Sequence, residues 1–254
     1  MTRLAAERLT VERGAKRILD EVSLVASGGE FIAVIGPNGA GKSTLLATLA
    51  GVSRPTRGKI ELDGEDLRRI AARTLAVRRA YLPQSPRCEW PISVERLVAL
   101  GLTPILPALG RLPAAFAARI DRALERCDLV PLRLQPVTTL SGGELARAML
   151  ARALVSDPDV LIVDEPIAGL DPRHALDAMG RLADWARQGK LVLASIHDLT
   201  LAARYASRIV ALASGRKTGD GPTSTTLTAE LLRSTFEVNA CIGGEEGARY
   251  VDYR

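Results

Sequence analysis

The chain has 254 residues, 47% hydrophobic and 25% charged, which excludes a disordered polypeptide and allows one large domain or two intimate ones at about 150 residues each. Its longest uncharged stretch, Leu97 to Gly110, is too short for a ~20-residue membrane span and carries Pro104 and Pro107. The net charge of +5 fits a nucleic-acid partner, an anionic membrane surface or an Arg-rich proteome equally well.

The opening residues MTRLAAERLTVERG are charged throughout, so no secretion signal is expected there. Residues 1–85 read as short strands separated by turns. Phe31-Ile32-Ala33-Val34-Ile35 is a buried-strand run that stops at a Gly-rich loop, and Ser43 to Leu49 predicts a helix ending near Gly51. From Pro86 to Val155 the strand signal vanishes. Phe116, Ile120, Leu124 and Cys127 fall at helical spacing, so this section reads as a helical insertion. Val160 to Val163 predicts a strand, and 173–188 a helix with Leu176, Met179, Leu182 and Ala186 on one face and Gly189 as its C-cap. Strands follow at Leu191–Ser195 and Ile209–Leu212. Alternating strands and helices predict an α/β protein with a largely parallel sheet. Cys88, Cys127 and Cys241 lie far apart in no metal-ligand spacing, as expected in a reducing compartment. The arginines at 68, 69, 73, 78 and 79 read as a solvated helix face, since no aromatics interleave with them.

Two motifs carry chemistry on their own residues. Gly36-Pro37-Asn38-Gly39-Ala40-Gly41-Lys42-Ser43, followed by Thr44, matches GxxxxGK[ST] at every fixed position, between a strand and a helix. Glycines let successive N–H groups turn inward around phosphate oxygens, and the helix N-terminus adds partial positive charge. Lys42 is expected to reach the β- and γ-phosphates and the Ser43 hydroxyl to take a position on Mg²⁺. Val160-Leu161-Ile162-Val163-Asp164-Glu165 is an apolar strand ending in two carboxylates. Beside a phosphate loop, Asp164 is expected to hold Mg²⁺, directly or through water, and Glu165 to act as general base on the attacking water.

A third motif, Leu140-Ser141-Gly142-Gly143-Glu144, opens a helix whose apolar side carries Leu145, Met149, Leu150 and Leu154, giving a second anion site. With all three motifs in order, the chain resembles ATP-binding-cassette ATPase subunits over nearly its whole length. The resemblance implies a P-loop NTPase fold with a parallel-sheet core, an N-terminal antiparallel β subdomain and an inserted α-helical subdomain. One domain would span 1–254: core and β subdomain over 1–85, helical subdomain over 86–155, and the rest of the core with a C-terminal tail over 156–254. It implies ATP and Mg²⁺ as ligands and a head-to-tail homodimer, in which Ser141, Gly142 and Gly143 of one subunit close on ATP held by the other. By the same resemblance Gln84 contacts Mg²⁺ and water, His197 contacts the γ-phosphate, and Asp171 belongs to a loop crossing the dimer interface. Ile167 stands where the family usually has a small hydroxyl residue. Arg13 stands where many members have an aromatic against adenine. A guanidinium can stack there by cation–π attraction, or Arg13 can simply be solvated in a turn with Gly14.

The segment Cys88-Glu89-Trp90-Pro91-Ile92-Ser93-Val94-Glu95, with Leu97-Val98-Ala99-Leu100-Gly101 and the run His197 to Ala206, resembles importer ATPases for iron–siderophore, haem and cobalamin. Zinc or manganese importer ATPases are a second reading, and a cassette ATPase without a transporter a third. The importer reading implies integral-membrane permease subunits as partners, an extracytoplasmic substrate-binding protein met indirectly, no nucleic acid, and a peripheral place on the cytoplasmic face of the inner membrane. Trp90, Pro91, Ile92 and the Leu97–Gly110 stretch are expected to offer the permease an apolar groove.

Overall fold

The computed structural model describes residues 1–84, 88–106, 114–245 and 248–253. Strands β1 (Arg3–Arg13) and β2 (Lys16–Ser27) form a hairpin closed by Gly14 and Ala15, with Gly14 at φ +59°. A positive φ at the first of two loop residues is what glycine supplies without steric cost. Next come β3 (Phe31–Ile35), α1 (Lys42–Leu49), β4 (Arg57–Leu62), the short β5 (Glu65–Asp66), α2 (Ala72–Arg78) and β6 (Arg79–Leu82). The helical section holds α3 (Val94–Ala99), α4 (Ala114–Arg126) and α5 (Gly142–Leu154). Then β7 (Val160–Asp164), α6 (Pro172–Arg187), β8 (Leu191–Ser195), α7 (Leu199–Tyr205) and β9 (Arg208–Ala213) alternate. The chain continues through β10 (Arg216–Pro222), α8 (Thr223–Thr226), α9 (Ala229–Phe236) and the hairpin of β11 (Ala240–Gly243) and β12 (Tyr250–Tyr253).

The main sheet runs β10-β9-β3-β8-β7-β6, parallel except for β10, and a smaller antiparallel sheet runs β2-β1-β4-β5. Successive side chains of a strand point to opposite faces, so a strand covered on both sides must be apolar throughout. β3 obeys this rule. Phe31, Ala33 and Ile35 pack into one core with the helical section, α6 and α7, while Ile32 and Val34 pack into another with α1 and the N-terminal hairpin. β7 and β8 divide in the same way. Among the described residues no helix is long and apolar enough to cross a membrane.

Three sequence expectations need correction. Leu176 is 40% exposed, and α6 faces the core through Ala175, Met179, Leu182 and Ala186. Leu176 lies about 100° round the helix from Ala175, at the edge of the apolar stripe. The helix is capped at Gln188; Gly189, at φ +84°, sits one residue beyond and donates its N–H to Ala186 O. The arginine stretch is solvated only in part. Arg78 bridges Asp63 and Asp159, Arg73 donates to the carbonyls of Pro104 and Leu106, and Arg79 is half-buried, which pushes its guanidinium pKa down.

Candidate active site

All the carboxyl ends of β3, β8, β7 and β6 lie along one edge of the parallel sheet, the edge where open α/β sheets bind ligands. The loop after β3 turns from strand to helix within Gly36–Gly41. Gly36 holds φ +150°, and a Cβ there would meet Leu212 O at 2.1 Å; at Gly41, φ +101°, a Cβ would meet Leu19 of β2 at 2.8 Å. Neither position admits a side chain, so the loop keeps its backbone facing the sheet edge. Pro37, Asn38, Gly39 and Ala40 complete the turn, with Ala40 N donating to Pro37 O. Lys42 opens α1 and is buried. Its Nζ donates to Gly36 O (2.8 Å) and Pro37 O (3.1 Å), holding the loop from inside. Burial pushes the Lys42 ammonium pKa down, opposed by the charges of Glu165 and Asp164. Ser43 is exposed at the start of α1 and Thr44 is buried.

Asp164 ends β7 in register with Ser195 at the end of β8. Ser195 is fully buried; its Oγ donates to Asp164 Oδ1 (2.6 Å) and accepts from Glu165 N (2.8 Å). That hydroxyl fixes both acidic residues at once. Glu165 has φ +51°, a left-handed backbone rare for a residue with a side chain. The bend turns its carboxylate into a cluster. Gln84 Nε2 donates to Oε2 at 2.5 Å, and His197 Nε2 lies 2.5 Å from Oε1. With Glu165 ionised, His197 carries its proton on Nε2. Thus Gln84, Glu165 and His197, from three separate strand ends, meet beside Asp164.

The Ser141–Gly143 turn is held by a capping box. Ser141 Oγ accepts from Glu144 N, while Ser141 N donates to Glu144 Oε2 at 2.8 Å. The Ser141 N–H and the Ser141 hydroxyl, which donates to Glu144 Oε2 at 2.8 Å, hold the Glu144 carboxyl below its ordinary pKa, the backbone bond most strongly. Gly142 lines a cavity of about 240 Å³ together with Gln84, Asp164 and Glu165. Asp171 is the N-cap of α6, and its Oδ1 accepts from His174 N at 2.9 Å. Arg13 is exposed at the tip of the β1–β2 hairpin, which reaches the phosphate loop through Leu19 against Gly41. It is not drawn into the Glu165 cluster.

Leu82 and Pro83, which line the cavity beside Gln84 and Glu165, also line an open groove of about 790 Å³ together with Trp90, Leu100, Pro104, Tyr81, Met149 and Arg152 among others. Trp90 is 67% exposed. The Leu97–Gly110 stretch is less superficial than expected: Leu97 and Val98 on the inner face of α3, and Leu102 in the 3-10 turn after it, are buried in the same core as α5, and only part of the stretch faces the groove. Residues 107–110 lie outside the described residues. Sequence reasoning missed Ser195, whose one signal is a hydroxyl ending the otherwise apolar run Leu191-Val192-Leu193-Ala194. It also missed His174, three residues past Asp171.

A phosphate loop and paired carboxylates at the carboxyl edge of a parallel sheet define a P-loop nucleotide-hydrolysing protein. Residues 19–168 match the ABC transporter family, and the chain belongs to that family as an ATP-binding, ATP-hydrolysing subunit. It is 40% identical to a hemin import ATP-binding protein HmuV of Rhodopseudomonas palustris (strain BisA53), over 98% of this chain and 93% of that one. It is 42% identical to a protein of the same name from Nocardia farcinica (strain IFM 10152), over 92% and 82%. Among solved structures, a metal-chelate type ABC transporter in an inward-facing conformation matches with a TM-score of 0.84 at 24% identity, covering 100% of this chain and 97% of that one, which establishes the fold. A dimeric ATP-binding cassette bound to ADP and phosphate matches with a TM-score of 0.77 at 25% identity, over 87% and 98%.

Proposed function

We propose that this chain powers an importer for haem or a related iron–siderophore or cobalamin-like chelate, working as a head-to-tail homodimer beneath two permease subunits on the cytoplasmic face of the inner membrane. A substrate-binding protein outside the membrane would deliver the cargo. The hemin-import relatives, similar along nearly the full chain, support the cargo class. The observation that carries the chemistry is the Glu165 carboxylate held between Gln84 and His197.

ATP phosphates would lie in the loop Gly36–Gly41, against backbone N–H groups and Lys42 at the start of α1. The available oxygen donors suit Mg²⁺: the exposed Ser43 hydroxyl, the Asp164 oxygen not taken by Ser195, and the Gln84 amide oxygen left free when its nitrogen serves Glu165. Mg²⁺ would neutralise phosphate charge there. Glu165 takes the proton of the attacking water, and His197 and Gln84 set the orientation of its carboxylate beforehand. Because Leu82 and Pro83, just before Gln84, line both the catalytic cavity and the Trp90 groove, movement of the helical section would alter both together. A short permease helix in that groove would transmit closure of the dimer to the membrane. Arg13 would stack on adenine from the hairpin tip. Asp171, with Ser141, Gly142 and Gly143, would act across the dimer.

The test is reconstitution of the chain with its permease in proteoliposomes loaded with ATP. ATP-dependent haemin uptake is the expected result. Uptake of free zinc or manganese instead of haemin, or no co-purifying permease, would contradict the cargo or the transporter reading respectively.

A further inference from the structure

His174 occupies the third position of α6, where its backbone N–H completes the Asp171 cap. Its ring does something the cap does not require. Nδ1 lies 2.7 Å from Asp171 Oδ2, so both oxygens of that carboxylate are held by one residue. The same ring stands against the opening turn of α5: a Cβ built on Gly143 would lie 3.5 Å from its Cγ and Nδ1. The imidazole therefore fills the gap between two helix N-termini, those of α5 and α6, and it lines the cavity shared by Gly142, Gln84 and Glu165. Two helix starts with like partial charges do not attract one another. A planar ring bonded to one and packed on the other sets their spacing.

We propose that His174 is a positioning residue that holds the Asp171 loop and the Ser141–Gly143 loop in fixed register, so that both meet the opposite subunit together when ATP closes the dimer. This rests on the head-to-tail reading given above. Neither loop touches the phosphates of its own subunit in that reading, so His174 governs closure and leaves nucleotide capture to the phosphate loop.

The substitutions separate the two contacts. His174→Ala removes both; His174→Asn offers an amide to Asp171 without the ring; His174→Phe keeps a ring without the donor. All three retain the backbone cap on Asp171, so folding should survive, checked by melting. Each is made in the intact protein and in a Glu165→Gln background, in which slowed hydrolysis is expected to hold ATP-bound dimers. For His174→Ala, the ATP concentration for half-maximal dimerisation should rise about tenfold, the size of a lost hydrogen bond to a charged group. In the intact protein kcat should fall comparably, while binding of a fluorescent ATP analogue to the monomer changes less than about twofold, an unlost phosphate-loop contact leaving Kd in place. Asn and Phe should each recover part of the loss. A Glu165→Gln parent that dimerises, with His174→Ala unchanged in dimerisation and kcat, overturns the role of His174 alone. A parent that stays monomeric with ATP overturns the head-to-tail reading and this inference with it.

Discussion

Ser195→Ala removes a fully buried hydroxyl that works in two directions, donating to Asp164 Oδ1 and accepting from Glu165 N. Asp164 is itself only 4% exposed, so solvent cannot readily replace the lost donor. Losing a hydrogen bond to an ionised group costs about 1.5–3 kcal/mol, and an orphaned buried amide about 1–3 kcal/mol. The two losses share one atom and do not add, so about 2–4 kcal/mol is expected. At roughly 2–4 °C per kcal/mol for a chain of this size, Tm should fall by about 5–15 °C. The left-handed backbone of Glu165 also loses one of its restraints, so kcat should fall by about tenfold, the effect of misplacing a general base. ATP affinity, set by the phosphate loop, should change little. Calorimetry and steady-state ATPase on the same preparation read both effects. A Ser195→Ala protein with the parent's Tm and turnover would refute the view that one hydroxyl fixes the Asp164 carboxylate and the Glu165 backbone together.

Lys42→Ala removes the ammonium that clamps the phosphate loop through Gly36 O and Pro37 O; ATP binding measured by titration calorimetry should collapse while circular dichroism shows an intact fold, and unchanged affinity would contradict the cradle. Arg13→Ala should lose about 0.5–2 kcal/mol of nucleotide binding and Arg13→Tyr should recover it; equal affinities for all three proteins would make Arg13 a solvated turn residue. Trp90→Ala should leave basal ATPase intact yet weaken capture of the permease in a pull-down by about 2 kcal/mol or more, as truncating an aromatic anchor does; undiminished capture would remove Trp90 from the docking groove.

What could be read from the sequence was local. The phosphate loop, the Asp164-Glu165 pair and the strand runs each declare themselves within ten residues, because glycine conformation, helix starts and buried-strand composition are short-range physics. What could not be read depends on register between distant segments. Ser195 matters because β8 pairs with β7 so that it lies opposite Asp164, and nothing in residues 191–195 states that pairing. His174 matters through Gly143, which belongs to another helix. Arg79 looked solvated beside Arg78, yet the turn from α2 into β6 carries it into the groove. Leu176 failed for a smaller reason: at the margin of an apolar stripe, a rotation of a few tens of degrees separates buried from exposed.

The most direct test is single-turnover hydrolysis by Glu165→Gln. Its carboxylate is the group that Gln84 and His197 converge on, and loss of such a base typically slows the chemical step by ~10²–10⁴-fold. The expected result is ATP bound with parental affinity, hydrolysed that much more slowly, and retained in a dimer. Turnover near the parent's rate, with ATP bound normally, would show that the proton leaves the water by another route and that the Gln84–Glu165–His197 cluster is not the catalytic centre.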